Sequence, residues 1–408
     1  VFSLQSSVDK LAIWRFSFIA SFTLLLTVMV EDAYISVTGI VAKDFGSSVN
    51  YFQLTTIVLI FIQGLFMPLF ARYGDRLGRL PVLKAGLLTF LAGCMSCFLA
   101  SSEWLFYGGR IIQGVGASAI LVIVPALIRD RYSDNESARQ FSVIALVLLV
   151  SRVICPELGI KITSALGWRA LFAFFALCSL ALFVINHLEF RQEKKIIRED
   201  SGKFFFYDFI RILCDKPSLR YVIANSCGSM AVFIYLNNAS FLFIDYFHTD
   251  YSTLAIALTL AFLILGASAV TNIYLLKKFR YEKIMQKAFF ILVLMSVLNM
   301  VIDWAESHTF TSCMVFLAAL FYISGFVGPN SQAGILQEHP RDAATASSVL
   351  DVVAIIVSSI VSALVVLSAD GTTKALSLYT MSYCLISLFI WHWLRVKEPA
   401  SETEQDHH

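Results

Sequence analysis

Twelve apolar runs, each long enough to cross a bilayer, follow one another along the chain with little between them. They occupy 12–41, 51–72, 81–100, 104–128, 140–166, 168–190, 219–247, 253–276, 284–304, 309–336, 344–368 and 375–395. A helix needs ~20 apolar residues to span the hydrocarbon layer. No water there can satisfy the backbone, so each run must close its own hydrogen bonds as a helix. The predicted fold class is an all-α membrane protein with twelve transmembrane helices. Composition agrees: 15% of the 408 residues are charged, against ~25% in soluble domains. The first run is too long for a cleaved signal peptide and is kept as a span. Of the eight cysteines, all but Cys214 lie in apolar runs, which argues against a disulfide framework. Cys94 and Cys97 have redox or metal spacing but no partner Cys or His nearby, and read as small packing residues. Neither a metal nor a cofactor is expected, and nucleic acid is not an expected partner.

Basic residues concentrate in alternate loops. One set holds Arg76, Arg79 and Lys84, then Arg129 and Arg131, then a run from Arg191 to Lys216, then Lys277 to Lys283; the other has little beyond Lys43, Arg169 and Lys374. The positive-inside bias puts both termini and the central connector in the cytoplasm. That connector, 191–218, is charged and contains the amphipathic "FFFYDFIRIL", suited to lie along a membrane surface. It divides the chain into a six-helix half at 1–190 and another at 219–396. Residues 397–408 form a tail whose final "DHH" reads as a tag remnant. Six plus six is the pattern of a transporter made of two repeated halves with its site between them.

Charges inside the runs point to that site. Arg152, Glu157 and Lys161 lie in "VSRVICPELGIKITSALGWR", although a charge at the bilayer centre costs roughly 2.5–3.5 kcal/mol even on a lenient scale. Lys161 is about 8 Å from the end of its helix and can snorkel to the surface. Glu157, four residues earlier, can pair with it. Arg152 has neither escape. It is either a structural arginine satisfied between the halves, or a cavity residue that handles anionic cargo or tunes a carboxylate. Asp351, two turns inside its span, is a second protonatable group or a partner for a cavity cation. Asn237, Asn238 and Asn330 are plausible polar contacts of a cavity.

Several motifs resemble the major facilitator superfamily. "GDRLGRLPVL" (Gly74 to Leu83) is similar to its D-R-x-G-R signature between the second and third helices. The resemblance implies a cytoplasmic gate: a turn at Gly78, with Asp75, Arg76 and Arg79 holding helix ends, against the start of helix 11 near Ala343 to Ser347. "RIIQGVGASAI" (Arg110 to Ile120) resembles the R-x-x-Q-G-x-G-A motif of drug:proton antiporters. "EDAYISVTGIVAKDF" (Glu31 to Phe45) resembles the helix-1 segment of the bicyclomycin-resistance type, with Ser36 and Gly39 where that group has prolines. Pro156 sits where the helix-5 antiporter motif has its proline, and Gly159 falls within the same motif, but that motif is uncharged; Arg152, Glu157 and Lys161 depart from it.

The resemblance implies a proton-coupled transporter of the inner membrane, monomeric, with the bilayer, protons and a small molecule as its partners. Asp32, Glu31 and Asp351 are the candidates for proton coupling, with Asp32 the principal one. Arg110, Arg152, Tyr34, Asn237, Asn238 and Asn330 are the candidates for binding cargo. Export of a drug-like compound or metabolite is expected. The added cations tilt the expectation towards an anionic or zwitterionic metabolite such as a carboxylate siderophore, exported or imported. No G-x-x-x-x-G-K-[ST] loop supports ATP coupling, and no catalytic constellation suggests an enzyme. A reading from another class is a membrane sensor that has lost transport.

Overall fold

The structure, a computed structural model, describes residues 2–132, 134–189, 204–305, 309–339 and 342–394. In order the helices are α1 (Phe2–Ile35), α2 (Thr38–Asp44), α3 (Val49–Leu77), α4 (Arg79–Phe98), α5 (Glu103–Arg131), α6 (Asp134–Leu166), α7 (Trp168–Glu189), α8 (Phe204–Cys214), α9 (Lys216–Asn237), α10 (Tyr251–Leu276), α11 (Tyr281–Trp304), α12 (Phe310–Glu338), α13 (Ala343–Leu367) and α14 (Lys374–Trp393), with a π-helical turn at Phe241–Tyr246. The all-α class expected from sequence is found. Eleven helices among the described residues are long and apolar enough to cross a membrane. α6 has 33 residues, about 50 Å at 1.5 Å per residue, and is long enough to be the twelfth. Residues 191–203 and 395–408 of the connector and tail, and Arg341, lie outside the described residues; "FFFYDFIRIL" forms most of α8. Arg211 of α8 pairs with Asp342 at 2.6 Å.

Apolar side chains collect in two cores. One runs from Phe16 on α1 to Leu182 on α7, the other from Ile212 on α8 to Trp391 on α14 with Ile35 joining it. Helix starts are capped where the chain re-enters the apolar layer: Ser48, Ser102, Asp215 and Asp250 each accept from the backbone N–H three residues on, satisfying an orphan donor. Thr309 forms a full capping box with Ser312. Within the first core, glycine notches bring backbones together. A Cβ on Gly116 of α5 would lie 2.4 Å from Phe90 N on α4, and one on Gly93 would lie 2.5 Å from Gln113 N. Gly114, two residues before Gly116 and so on nearly the opposite face, presses on Leu59 O of α3.

Two spans expected as single runs are broken. α1 ends at Ile35 and resumes as α2 at Thr38. Ser36 Oγ lies 2.8 Å from Ala33 O and 3.0 Å from Pro156 O, so its proton is shared between α1 and α6. The run expected at 219–247 stops being α-helical at Asn237 and continues as the π-helical turn. The two breaks meet: a Cβ on Gly39 would stand 3.0 Å from Tyr251 Oη and 3.2 Å from Ser240 Oγ. Both hydroxyls are buried without a hydrogen-bond partner. Further from this end the halves touch where Ile355 of α13 packs on Gly64 of α3, and where Thr259 Oγ1 of α10 donates to Val153 O of α6 at 3.0 Å.

Candidate functional site

The charged groups gather where α1 and α6 press closest. A Cβ on Gly159 would lie 2.4 Å from Ala33 O, so glycine lets the two backbones meet one residue from Asp32. Asp32 is 5% exposed. Its Oδ2 has no hydrogen-bond partner, and Arg152 Nε stands 4.0 Å away. That is within Coulombic reach but too long for a hydrogen bond. Arg152 also caps the ring of Phe262 on α10 at 5.2 Å, reaching across to the second half. Glu31 faces elsewhere and accepts from Gln63 Nε2 of α3 at 3.0 Å. The consecutive acids therefore have separate partners, as a 100° step along a helix requires.

Arg110 and Tyr34 sit behind this pair, both fully buried. The Arg110 guanidinium lies over the Tyr34 ring at 4.3 Å and donates to Gln113 Oε1 at 3.0 Å and Thr56 Oγ1 at 3.5 Å. Tyr34 Oη and Thr55 Oγ1 are 2.9 Å apart. An arginine two turns inside a span is thus received by a ring, an amide and a hydroxyl, and it neither lines open space nor snorkels in this conformation. The three asparagines are also buried. Asn237 donates to Ser362 Oγ at 3.4 Å, Asn238 to Ile234 O at 2.9 Å, and Asn330 to Asn272 Oδ1 at 2.9 Å. Asp351 is exposed on α13.

At the basic end, Gly78 has φ +94°, a conformation that L side chains rarely adopt, and it turns α3 into α4. Arg79 pairs with Asp75 at 2.6 Å and with Asp130 of α5 at 3.1 Å; Arg76 is exposed. These ion pairs stay within the first half. The side chains of Ala343 and Ala344, at the expected contact, lie outside the described residues. Lys161, exposed, and Glu157, half-buried, pair at 3.2 Å, beside a groove of about 440 Å³ between α6 and α10.

At the other end Asp44 accepts from the Trp168 indole and from Arg169, each at 2.9 Å. The indole N–H first, and Arg169 second, hold its carboxyl below the usual aspartate range. A depressed folded-state value stabilises above the unfolded value and is lost as pH falls through the folded one. Asp44→Asn is therefore expected to lower the thermal midpoint at pH 7, and the gap to wild type should close as pH drops below about 4. A gap of the same size at pH 3 would remove the carboxylate from that account.

Sequence reasoning left several of these partners unassigned. Gln113 stands three residues after Arg110 in the motif quoted above; Thr55 lies in "QLT" at 53–55 and Asp130 in "LIRDRY" at 127–132, short motifs of the same resemblance. Those motifs were a signal that could have found them. Gln63 and Phe262 carry none.

The family profile described as Major Facilitator Superfamily matches residues 18–391. A chloramphenicol resistance protein of Pseudomonas aeruginosa is 34% identical over 174 residues, 41% of this chain and 42% of that protein; the match thus spans less than half of that relative. The multidrug resistance protein MdtL of Shigella dysenteriae serotype 1 is 22% identical over 391 residues, 96% of this chain and 98% of the relative. Among solved structures, a peptide transporter superposes with TM-score 0.72 at 11% identity, covering 93% of both chains. A D-xylose–proton symporter superposes with TM-score 0.69 at 14% identity, covering 93% of this chain and 97% of that one. At such identities these two speak for the fold alone.

Proposed function

The chain belongs to the major facilitator superfamily, and from that premise we propose that it is a proton-coupled secondary transporter that exports a small organic compound by alternating access. The observation that carries this reading is Asp32: a carboxylate sealed in the first broken helix, one oxygen unpartnered, next to a cation it does not quite reach. A group so placed can gain or lose a proton as its surroundings change. Rocking of two separately cored halves about the seam between them supplies the alternation. The basic loops support an orientation with both termini in the cytoplasm of a bacterium; in this reading the inner membrane surrounds the chain and a monomer is the working unit. Asp75, Gly78, Arg76 and Arg79 serve as a cytoplasmic gate in this reading.

The cargo class follows the relatives: a chloramphenicol-like drug, by likeness to the resistance protein that matches over 174 residues, or another compound handled by multidrug exporters. Arg152 favours a second reading, an anionic metabolite such as a carboxylate siderophore, because no cation is needed to balance Asp32. The test is flux in proteoliposomes with an imposed pH gradient. Chloramphenicol should accumulate in vesicles acidified inside with the transporter inserted to pump inwards, and a protonophore should abolish it. Binding without gradient-driven flux of any probe would leave the sensor reading in its place.

A further inference from the structure

Arg152 departs from the uncharged helix-5 pattern, and its neighbours show what the departure does. Gly159 against Ala33 and Ser36 against Pro156 clamp α1 to α6 just beyond Asp32, so the carboxylate cannot swing far from the helix that carries Arg152. Of the groups around Asp32, Arg152 is the cation within salt-bridge distance. Glu31 turns to Gln63, and Arg110 is engaged by Gln113, Thr56 and the Tyr34 ring. The Arg152 side chain is one-third exposed, and its far face rests on Phe262 of the opposite half. It stands between Asp32 and the seam between the halves.

From this we propose that Arg152 is a tethered counter-ion that sets charge selectivity: it turns organic cations away from Asp32 and admits neutral or anionic compounds. The proposal rests on the reading that Asp32 belongs to the transport site. A cation approaching Asp32 meets a carboxylate already balanced, and an arginine whose charge repels it. Like-charge juxtaposition is a recognised means of excluding a wrong partner. A neutral cargo avoids that repulsion, and an anionic one gains the guanidinium as donor. Phe262 holds the guanidinium by its ring face, so the counter-ion stays at the seam rather than extending into solvent.

The test compares two probes of similar size and different charge, tetraphenylphosphonium and triphenylphosphine oxide, by equilibrium binding to the purified full chain. Wild type should bind the neutral probe at least about tenfold more tightly than the cation. Arg152→Gln should raise affinity for the cation by about tenfold or more, Arg152→Lys should leave cations excluded, and Asp32→Asn combined with Arg152→Gln should abolish the gain. Equal binding of the two probes by wild type overturns the proposal without any variant. So does a folded Arg152→Gln protein that gains nothing for the cation. Chloramphenicol flux under a pH gradient is measured alongside. Its absence, together with absence of gradient-driven flux of the neutral probe, with the binding pattern intact refutes proton-driven export of such compounds and leaves the counter-ion standing; its presence with no charge discrimination does the reverse.

Discussion

Asp32→Asn is expected to reduce gradient-driven transport to the level of empty vesicles while leaving the protein folded. The amide keeps the shape of the carboxyl and loses its exchangeable proton. Because Arg152 then loses the carboxylate 4.0 Å away but keeps Glu31 within electrostatic range, a stability loss of only about 1 kcal/mol accompanies the change, small beside the loss of function. The measurement is flux driven by a pH jump, with a thermal midpoint taken on the same preparation. Wild-type coupling in the variant would take Asp32 out of the mechanism. Glu31→Gln is the matched control: its hydrogen-bond partner is Gln63 of α3 and not Arg152, so coupling should persist.

Gly116→Val should abolish folding. The first added carbon falls 2.4 Å from Phe90 N and 2.7 Å from Gly86 O, both backbone atoms that no rotamer change can move. α4 and α5 would have to separate along their length, and the buried Arg110–Gln113 contact lies on the same helix. Overpacking typically costs ~1–3 kcal/mol where side chains can yield; here nothing yields, so the loss should exceed that range. Monodisperse protein recovered in detergent is the readout. Gly108→Val on the same helix is the control, because a Cβ there meets nothing within 4 Å. Equal recovery of the two would refute the close-packing account of the motif.

The spans, the turn at Gly78 and the helix contacts of Gly114 and Gly116 could be read in the sequence, because each rests on local chemistry: hydropathy, a glycine between two runs, a small residue in an apolar helix. The separation of Lys161 from Arg152 was also readable, from depth and helical phase alone. The fate of Arg110 was not. Its partners come from α1, α3 and α5, up to 76 positions away in the case of Tyr34, and helices apolar on every side carry no period to say which faces meet. The same limit hid Asp130, which takes Arg79 at 3.1 Å. It hid the breaks at 36–37 and at Asn238 too, since Ser36 and Gly39 stand where the segment they resemble has prolines.

Those breaks bear on how easily the molecule changes shape. The seam where Gly39 meets Ser240 and Tyr251 is closed by surface fit, and the two hydroxyls inside it are left without partners. An unsatisfied buried hydroxyl carries a penalty of roughly 1–3 kcal/mol, and parting the seam lets water remove it. Closure is thus opposed by the very groups it hides. Each hydroxyl hydrated on parting would lower the cost of opening this seam by about that amount, so that a protonation or a bound molecule would have less left to supply.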